Sequence, residues 1–320
     1  MKSRDGEDQS VQIAVSVIIV NWNTKDILQN CLDSIYQTID KLPCEVIVVD
    51  NASSDGSTTM LQERYPQVIK IYNQVNSGFS AANNQAFAIM KGKYALLLNS
   101  DAILTFGAIN KLYSFGESHT QAAIVCGQLL HADGSKQNSV AAFPSLLTLA
   151  TNTSLLEYLF PSRFPSKRYE HKEPLEVDSA IGACMLIRKK ALDEVGFFDE
   201  RYFFYFEETD LAYTFHSKGW SVYHIPDAFI YHLQGQSIGH NVGSRIEFYR
   251  SRYQFLRKWH NSPYYYLARG IIFLRLLVNG FSSFISVALT LGLNKKLRDK
   301  LVMYSKLLRW HFQNSNNLQN

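Results

Sequence analysis

Apolar and polar positions fall into two alternating rhythms over the first hundred residues. Ile13 to Val20 is a run rich in β-branched residues that stops at Asn21-Trp22-Asn23, which predicts a buried strand and its loop. Past Thr24, a residue able to cap a helix, Ile27, Leu28, Cys31, Leu32 and Ile35 lie at helical spacing until Pro43 closes the connection. Strand character returns over Glu45 to Val49 and gives way to the polar loop Asp50 to Ser57. A helix over 58–65 stopped by Pro66, a strand over 68–72, and a small-residue helix over 80–91 ended by Gly92 complete the pattern. Next comes the apolar run Tyr94 to Leu98, which ends abruptly in Asn99-Ser100-Asp101. Such regular alternation predicts an α/β fold with a mostly parallel central sheet flanked by helices. Ligands bind beyond the carboxyl ends of strands in such sheets, where Asp101 would stand. The tripeptide also suits a turn that caps the next helix.

The middle of the chain is less regular. Gly127 to Ser145 reads as loop, and Ser162 to Pro174 is charged and broken by prolines. Order returns over 177–188, where Gly182-Ala183 leads into Cys184 to Ile187, and a helix over 189–195 follows. An aromatic run, Tyr202 to Phe206, then ends in Glu207-Glu208-Thr209-Asp210. On a helix Glu207 and Asp210 share a face while Glu208 points elsewhere. Acids there suit a helix start as well as a catalytic group. Trp220 to Ile225 predicts a strand, and Pro226 to Tyr231 carries the chain to His232.

With 320 residues and 46% apolar content, the chain can bury a full core. Met1 to Ser10 is polar and the first apolar run is short, so no secretory leader is read and the active part is expected in the cytoplasm. The four cysteines show no CxxC spacing and are read as buried thiols. Neither Gly-x-Gly-x-x-Gly nor a P-loop occurs, so phosphate must be held another way. Charge is unevenly spread. Residues 245–320 carry 13 Lys and Arg against Glu247 and Asp299, whereas 1–244 carry 19 against 26 acids. Within that basic tail, Ile271 to Leu293 is nearly all apolar and precedes Lys295, Lys296, Arg298 and Lys300. This favours helices lying on an anionic membrane surface over spanning it, and over nucleic acid as a partner. Packing against the body or a second subunit is the third option. The expected division is a flexible 1–10, a main domain over 11–260, and C-terminal helices over 261–320.

The stretches Val15 to Asn23, Val46 to Ser57, Asn76 to Asn84, Leu96 to Asp101, Asp133 to Ser135 with Pro144, Gly182 to Met185, Gly196 to Leu211, His232 to Ser237 and Tyr249 to Tyr253 together resemble the inverting family 2 glycosyltransferases, in particular the rhamnosyltransferase-like branch with the GT-A (Rossmann-like) fold. The resemblance implies a nucleotide-sugar site built from Asn21, Asn23, Asp50, Asn76, Gly78, Asn83, Asn99 and Ser100, with Asp50 reading a uracil or thymine base. It implies Asp101 and His232 as ligands of Mn²⁺ or Mg²⁺, with Asn99 replacing the first carboxylate of the family's Asp-x-Asp motif. Glu208 aligns with the family's base, Asp210 is the reserve, and Glu207 completes the catalytic set. Gly182, Ala183 and Cys184 would face the acceptor. Tyr249, Arg250 and Arg252 either hold phosphates or pair structurally. The implied reaction moves a sugar, rhamnose first, from a dTDP- or UDP-linked donor to a polyprenyl-linked or cell-surface glycan at the inner membrane face; self-association stays open. A sugar nucleotidyltransferase would need a glycine-rich basic loop after the first strand, which Asn21 to Thr24 is not. A non-catalytic scaffold that binds glycans or assembles with partners is the alternative.

Overall fold

The computed structural model describes residues 12–39, 41–167, 169–233 and 242–314. The expected flexible 1–10, and Gln234 to Ser237 of the motif after His232, lie outside the described residues. The first half runs β1 (Val15–Asn21), α1 (Lys25–Thr38), β2 (Cys44–Asp50), α2 (Ser57–Arg64), β3 (Ile69–Tyr72), α3 (Phe79–Ile89), β4 (Tyr94–Leu98), β5 (Ala102–Leu104), α4 (Ala108–Ser118) and β6 (Ala122–Leu130). The second half runs β7 (Val140–Ala141), α5 (Leu146–Ala150), α6 (Thr153–Leu159), β8 (Leu175–Val177), β9 (Ser179–Ala180), β10 (Cys184–Arg188), α7 (Lys189–Val195), α8 (Glu207–Ser217), β11 (Ser221–His232), α9 (Val242–Trp259), α10 (Ser262–Leu289) and α11 (Lys295–Asn314).

The central sheet has the order β3-β2-β1-β4-β10-β6-β11-β5, with β8 also paired to β11. Neighbours from β3 to β4 are parallel, as the alternation of the first hundred residues predicts. Beyond β4 the sheet is mixed, because β10 enters antiparallel to both β4 and β6. Apolar residues on its two faces form separate cores under the helices. Strand order reverses between β1 and β4, which opens a crevice at their carboxyl ends. Asn21 and Asn99 stand there.

Three local expectations are corrected. Gly127 to Leu130 belong to β6 rather than to a loop. The glycine sits where β11 comes close, since a Cβ at Gly127 would lie 2.4 Å from the Ala228 carbonyl oxygen. The adjacent Gln128 is buried and donates to the carbonyls of Leu129 and Gln137 and to Ser139 Oγ, so its polarity ties the following segment to the sheet. Likewise β11 continues through Pro226 to His232, its register with β6 shifting between Ile225 and Phe229; such an irregularity is where a strand tolerates proline. Thr24 does not cap α1 with its side chain. Its hydroxyl bonds to Asn21 and Ser100, and Asp55 accepts from the first helical amide, Lys25 N–H, at 2.8 Å.

The C-terminal helices share a core with the body. Leu149 of α5, Tyr253 and Leu256 of α9, four residues of α10 and Leu307 of α11 pack together. The apolar stretch 271–293 is the second part of α10 plus a turn in which Leu291 and Gly292 adopt positive φ.

Candidate active site

The register of the sheet brings the remote His232 to Asp101. β5 follows directly after Asp101 and pairs antiparallel with the end of β11, so that Ala102 faces His232. The Leu233 amide donates to the Asp101 carbonyl at 2.9 Å. As a result His232 Nε2 lies 3.4 Å from Asp101 Oδ1, with both residues buried. Gln137 settles the tautomer of the imidazole. Its Nε2 donates to the carbonyls of Leu130 and His232, which leaves Oε1 as the acceptor that faces His232 Nδ1 at 3.0 Å. Nδ1 must therefore carry the proton. In the neutral ring, Nε2 then turns a lone pair toward a carboxylate, an arrangement that a bound cation resolves. Two ligands about 2.1 Å from one ion are about 3.0–3.4 Å apart at ordinary coordination angles. The oxygen and nitrogen donors present here fit a divalent ion. No group of three or more His, Cys, Asp or Glu poised for a metal occurs among the described residues.

Asp101 and His232 open onto a cavity of about 660 Å³. Glu207 and Glu208, at the first turn of α8, line the same cavity. Tyr205 and Phe206, just before them, both adopt positive φ (69° and 71°), a conformation that costs non-glycine residues energy and gathers at functional sites. It turns the chain so that both glutamates enter the cavity wall. Glu207 is buried, and its Oε2 has no hydrogen-bond partner. Burial, with the charge of Glu208 added, holds its pKa well above the usual 4.5. Glu208 is half-buried, accepts from the Thr209 hydroxyl at 3.1 Å, and is also raised by burial. Of the two, Glu207 is the more deeply buried. Gly182 leaves room beside the Glu208 stem: a Cβ there would lie 3.9 Å from it.

A second cavity, of about 340 Å³, lies at the tips of β1, β2 and β4. Trp22, Asn51, Asn76, Gly78, Asn99 and Ser100 face it, and Phe79, Asn99, Phe204 and Tyr205 line both cavities. Gly78 has φ +85°, and a Cβ on it would sit 2.7 Å from the Phe203 carbonyl oxygen. What approaches this glycine is thus the aromatic run. Phe79 N–H donates to that same carbonyl, and the Ser80 hydroxyl donates to the Tyr202 carbonyl.

Several predicted residues stand elsewhere. Asp210 lines neither cavity. Its carboxylate accepts from the Tyr202 hydroxyl, Lys258 Nζ and Trp259 Nε1, which occupies it structurally and removes it as reserve base. Cys184 begins β10 inside the core, where burial pushes its thiol up to about 12. It offers nothing to an acceptor, unlike Gly182 and Ala183, which line the larger cavity. Asn83 is buried on α3 and donates to the Phe79 carbonyl. Asp50 lies beneath the smaller cavity, accepting from Asn21 Nδ2 and the Ser53 amide. Asn23 accepts from the Ser54 amide. These three polar side chains, Asn21, Asn23 and Asp50, order the loops rather than line the wall. All four cysteines are free thiols, three of them buried and Cys44 half-buried. Sequence reasoning missed Gln137; its only signal is its place two residues after Asp133-Gly134-Ser135.

Residues 16–196 match the family described as Glycosyl transferase family 2. The chain is 28% identical over 278 residues to an N-acetylglucosaminyl-diphospho-decaprenol L-rhamnosyltransferase of Mycobacterium tuberculosis, covering 81% of this chain and 90% of that protein. It is 28% identical over 203 residues to the low-salt glycan biosynthesis hexosyltransferase Agl10 of Haloferax volcanii, with 62% and 60% covered. In fold it is similar to the mannosyltransferase PcManGT of Pyrobaculum calidifontis, solved with GDP-Man and Mn²⁺ (TM-score 0.58, 15% identity, 96% and 88% covered).

Proposed function

Because the chain belongs to glycosyltransferase family 2, and is thus a glycosyltransferase, we propose that it transfers a sugar with inversion from a nucleoside diphosphate donor to a polyprenyl diphosphate-linked glycan. Rhamnose from a dTDP-linked donor is the first choice, by similarity to the mycobacterial rhamnosyltransferase. One observation carries the reading. The Asp101–His232 pair and the Glu207–Glu208 pair line one cavity, which shares Asn99 with a second cavity.

In this reading the donor occupies the smaller cavity, among Trp22, Asn51 and Asn76, and its diphosphate reaches Asp101 and His232. Those two residues would hold a divalent cation, Mn²⁺ or Mg²⁺, whose chemistry there would be to stabilise negative charge on the departing nucleotide. Gln137 keeps the His232 lone pair aimed at the ion. Glu208 takes the proton from the acceptor hydroxyl as that oxygen attacks the anomeric carbon, and the bond to the donor phosphate breaks on the opposite side. Protonated Glu207 leaves Glu208 as the only anion of the pair. The aromatic wall of Phe79, Phe204 and Tyr205 keeps water from the junction of the two cavities. The apolar face of α10, with the basic residues after it, supports docking on the cytoplasmic face of the membrane.

The test is transfer of labelled rhamnose from dTDP-rhamnose, in the presence of Mn²⁺, to a polyprenyl-diphospho-N-acetylglucosamine. The wild type should form lipid-extractable product, and Glu208→Gln should lose roughly 10²–10⁴-fold in rate while still binding dTDP with Mn²⁺. Unchanged transfer by Glu208→Gln would overturn the base assignment. A folded wild type that binds none of dTDP, UDP or GDP would overturn the donor site.

A further inference from the structure

Arg252, on α9, is half-buried and carries a charge that no described carboxylate neutralises. Its guanidinium lies over the rings of Phe248 at 4.4 Å, Tyr249 at 5.6 Å and Phe206 at 5.8 Å. Stacking satisfies the flat faces of a guanidinium, but the N–H donors lie in its plane and require acceptors. Its Nε is buried without a hydrogen-bond partner among the described residues. No carboxylate pairs with Arg252 among the described residues, although Arg250 beside it pairs with Glu247. The positive charges of Arg245 and Arg275 are also felt at Arg252. Two acids of the same cavity wall, Glu207 and Glu208, are themselves biased toward the neutral form by burial.

This side chain lines the 660 Å³ cavity together with Asp101, His232 and Glu208. The same cavity is bounded by Thr148 and Leu149 of α5. Arg275 of α10 donates to the Leu149 and Thr151 carbonyls, so this wall rests on the helix whose outer face is apolar. A cavity wall with a planar cation and free in-plane donors is matched by phosphate oxygens.

We infer that Arg252 binds a phosphate of a diphosphate ester, and that its place on the α5 and α9 side assigns it to the diphosphate of the lipid-linked acceptor. The inference rests on the transfer reading above for the identity of that acceptor. A diphosphate held by Arg252 would fix the sugar hydroxyl at Glu208 while its lipid leaves along α10. Arg252 is thus a positioning residue that selects acceptors carrying a charged linker.

The test uses the full-length protein and its Arg252→Gln and Arg252→Lys variants. Inorganic pyrophosphate, titrated by calorimetry in metal-free buffer, reads the subsite without any transfer step. In parallel, dTDP with Mn²⁺ reads the donor site, and N-acetylglucosamine on farnesyl diphosphate or on a neutral octyl chain reads the acceptor. Arg252→Gln should weaken pyrophosphate binding and raise KM for the diphosphate acceptor by roughly 10- to 100-fold, leaving dTDP binding and the octyl acceptor unchanged. Arg252→Lys keeps the charge and loses the planar fork, so it should fall between. If Arg252→Gln melts well below the wild type, Arg252→Lys decides. Weakened dTDP binding with an unchanged acceptor KM would overturn the acceptor assignment in favour of the donor's diphosphate. Equal pyrophosphate binding by wild type and both variants would overturn the subsite itself. A wild type that binds pyrophosphate yet transfers no rhamnose would count against the transfer reading and leave the subsite standing.

Discussion

Two adjacent glutamates differ here in burial, and that difference has a measurable consequence. As the proposed base, Glu208 must be ionised to accept a proton, yet burial raises its pKa above the ordinary 4.5. Activity should therefore fall on the acid side at a pH higher than an exposed glutamate would give. Glu207, the more deeply buried, has its pKa held well above that value, so Glu207→Gln copies its working state and should leave that acid limb where it is. A pH profile of kcat/KM for wild type and Glu207→Gln checks this; an acid limb at the ordinary glutamate value would count against Glu208 as the base. Stability moves in the opposite direction. A carboxyl whose folded pKa is raised contributes stability below its unfolded value, and this is lost as pH rises through the folded pKa. Relative to Glu208→Gln, the wild type should lose melting temperature over that same interval.

At the scale of elements, α8 is held at its first turn by more than its own backbone. Asp210 bonds to Tyr202 before the helix and to Lys258 and Trp259 at the end of α9. Removing a partner from a buried ion pair is costly. Lys258 keeps Asp199, whose carboxyl is pulled below the usual range by Arg201 and Lys258, so the loss is reduced to about 2–4 kcal/mol. Asp210→Ala should lower the melting temperature by roughly 5–10 °C, whereas Glu208→Gln should not lower it. Differential scanning calorimetry of the two variants separates the structural acid from the reacting one. This distinction was not legible in the sequence. Glu207, Glu208 and Asp210 are three carboxylates within four residues, and only the fold shows that Lys258 and Trp259, nearly fifty residues on, claim the third. By contrast β1 to β4 were legible: β1, β2 and β4 are short, largely buried runs with one outcome for their pattern, and the half-buried edge strand β3 follows the stop at Pro66. Asp101 and His232 lie 131 positions apart, and local pattern alone does not join them; pairing of β5 with β11 does. The β6 strand was missed because Gly127 and Gln128 have the composition of a loop while serving close packing and a buried hydrogen-bond network.

The whole molecule presents two contrasting surfaces, and α10 is where they meet. Its buried residues Tyr265, Ala268, Ile272, Leu276, Gly280 and Ser283 fall on one narrow stripe against α9 and α11. At Gly280 a Cβ would just touch Leu308, at 3.4 Å, so a small residue there lets α11 come close. The opposite face is apolar and exposed, with Leu274 at 61%, Phe281 at 66% and Phe284 at 58%. Exposed Lys295, Lys296, Arg298 and Lys300 follow at one end. The helix is long and apolar enough to cross a bilayer, but spanning would strip its buried stripe from α9 and α11. Lying in the interface keeps that packing, buries the outer face and brings the basic cluster to anionic headgroups. The protein should therefore sediment with vesicles containing phosphatidylglycerol and bind weakly to neutral ones, with alkaline carbonate releasing it. Replacing Leu274, Phe281 and Phe284 together by Ser should abolish sedimentation while leaving dTDP binding intact. Retention after carbonate would favour a spanning helix. Lost self-association in that triple variant, with vesicle binding unchanged, would assign the face to a second copy of the chain instead.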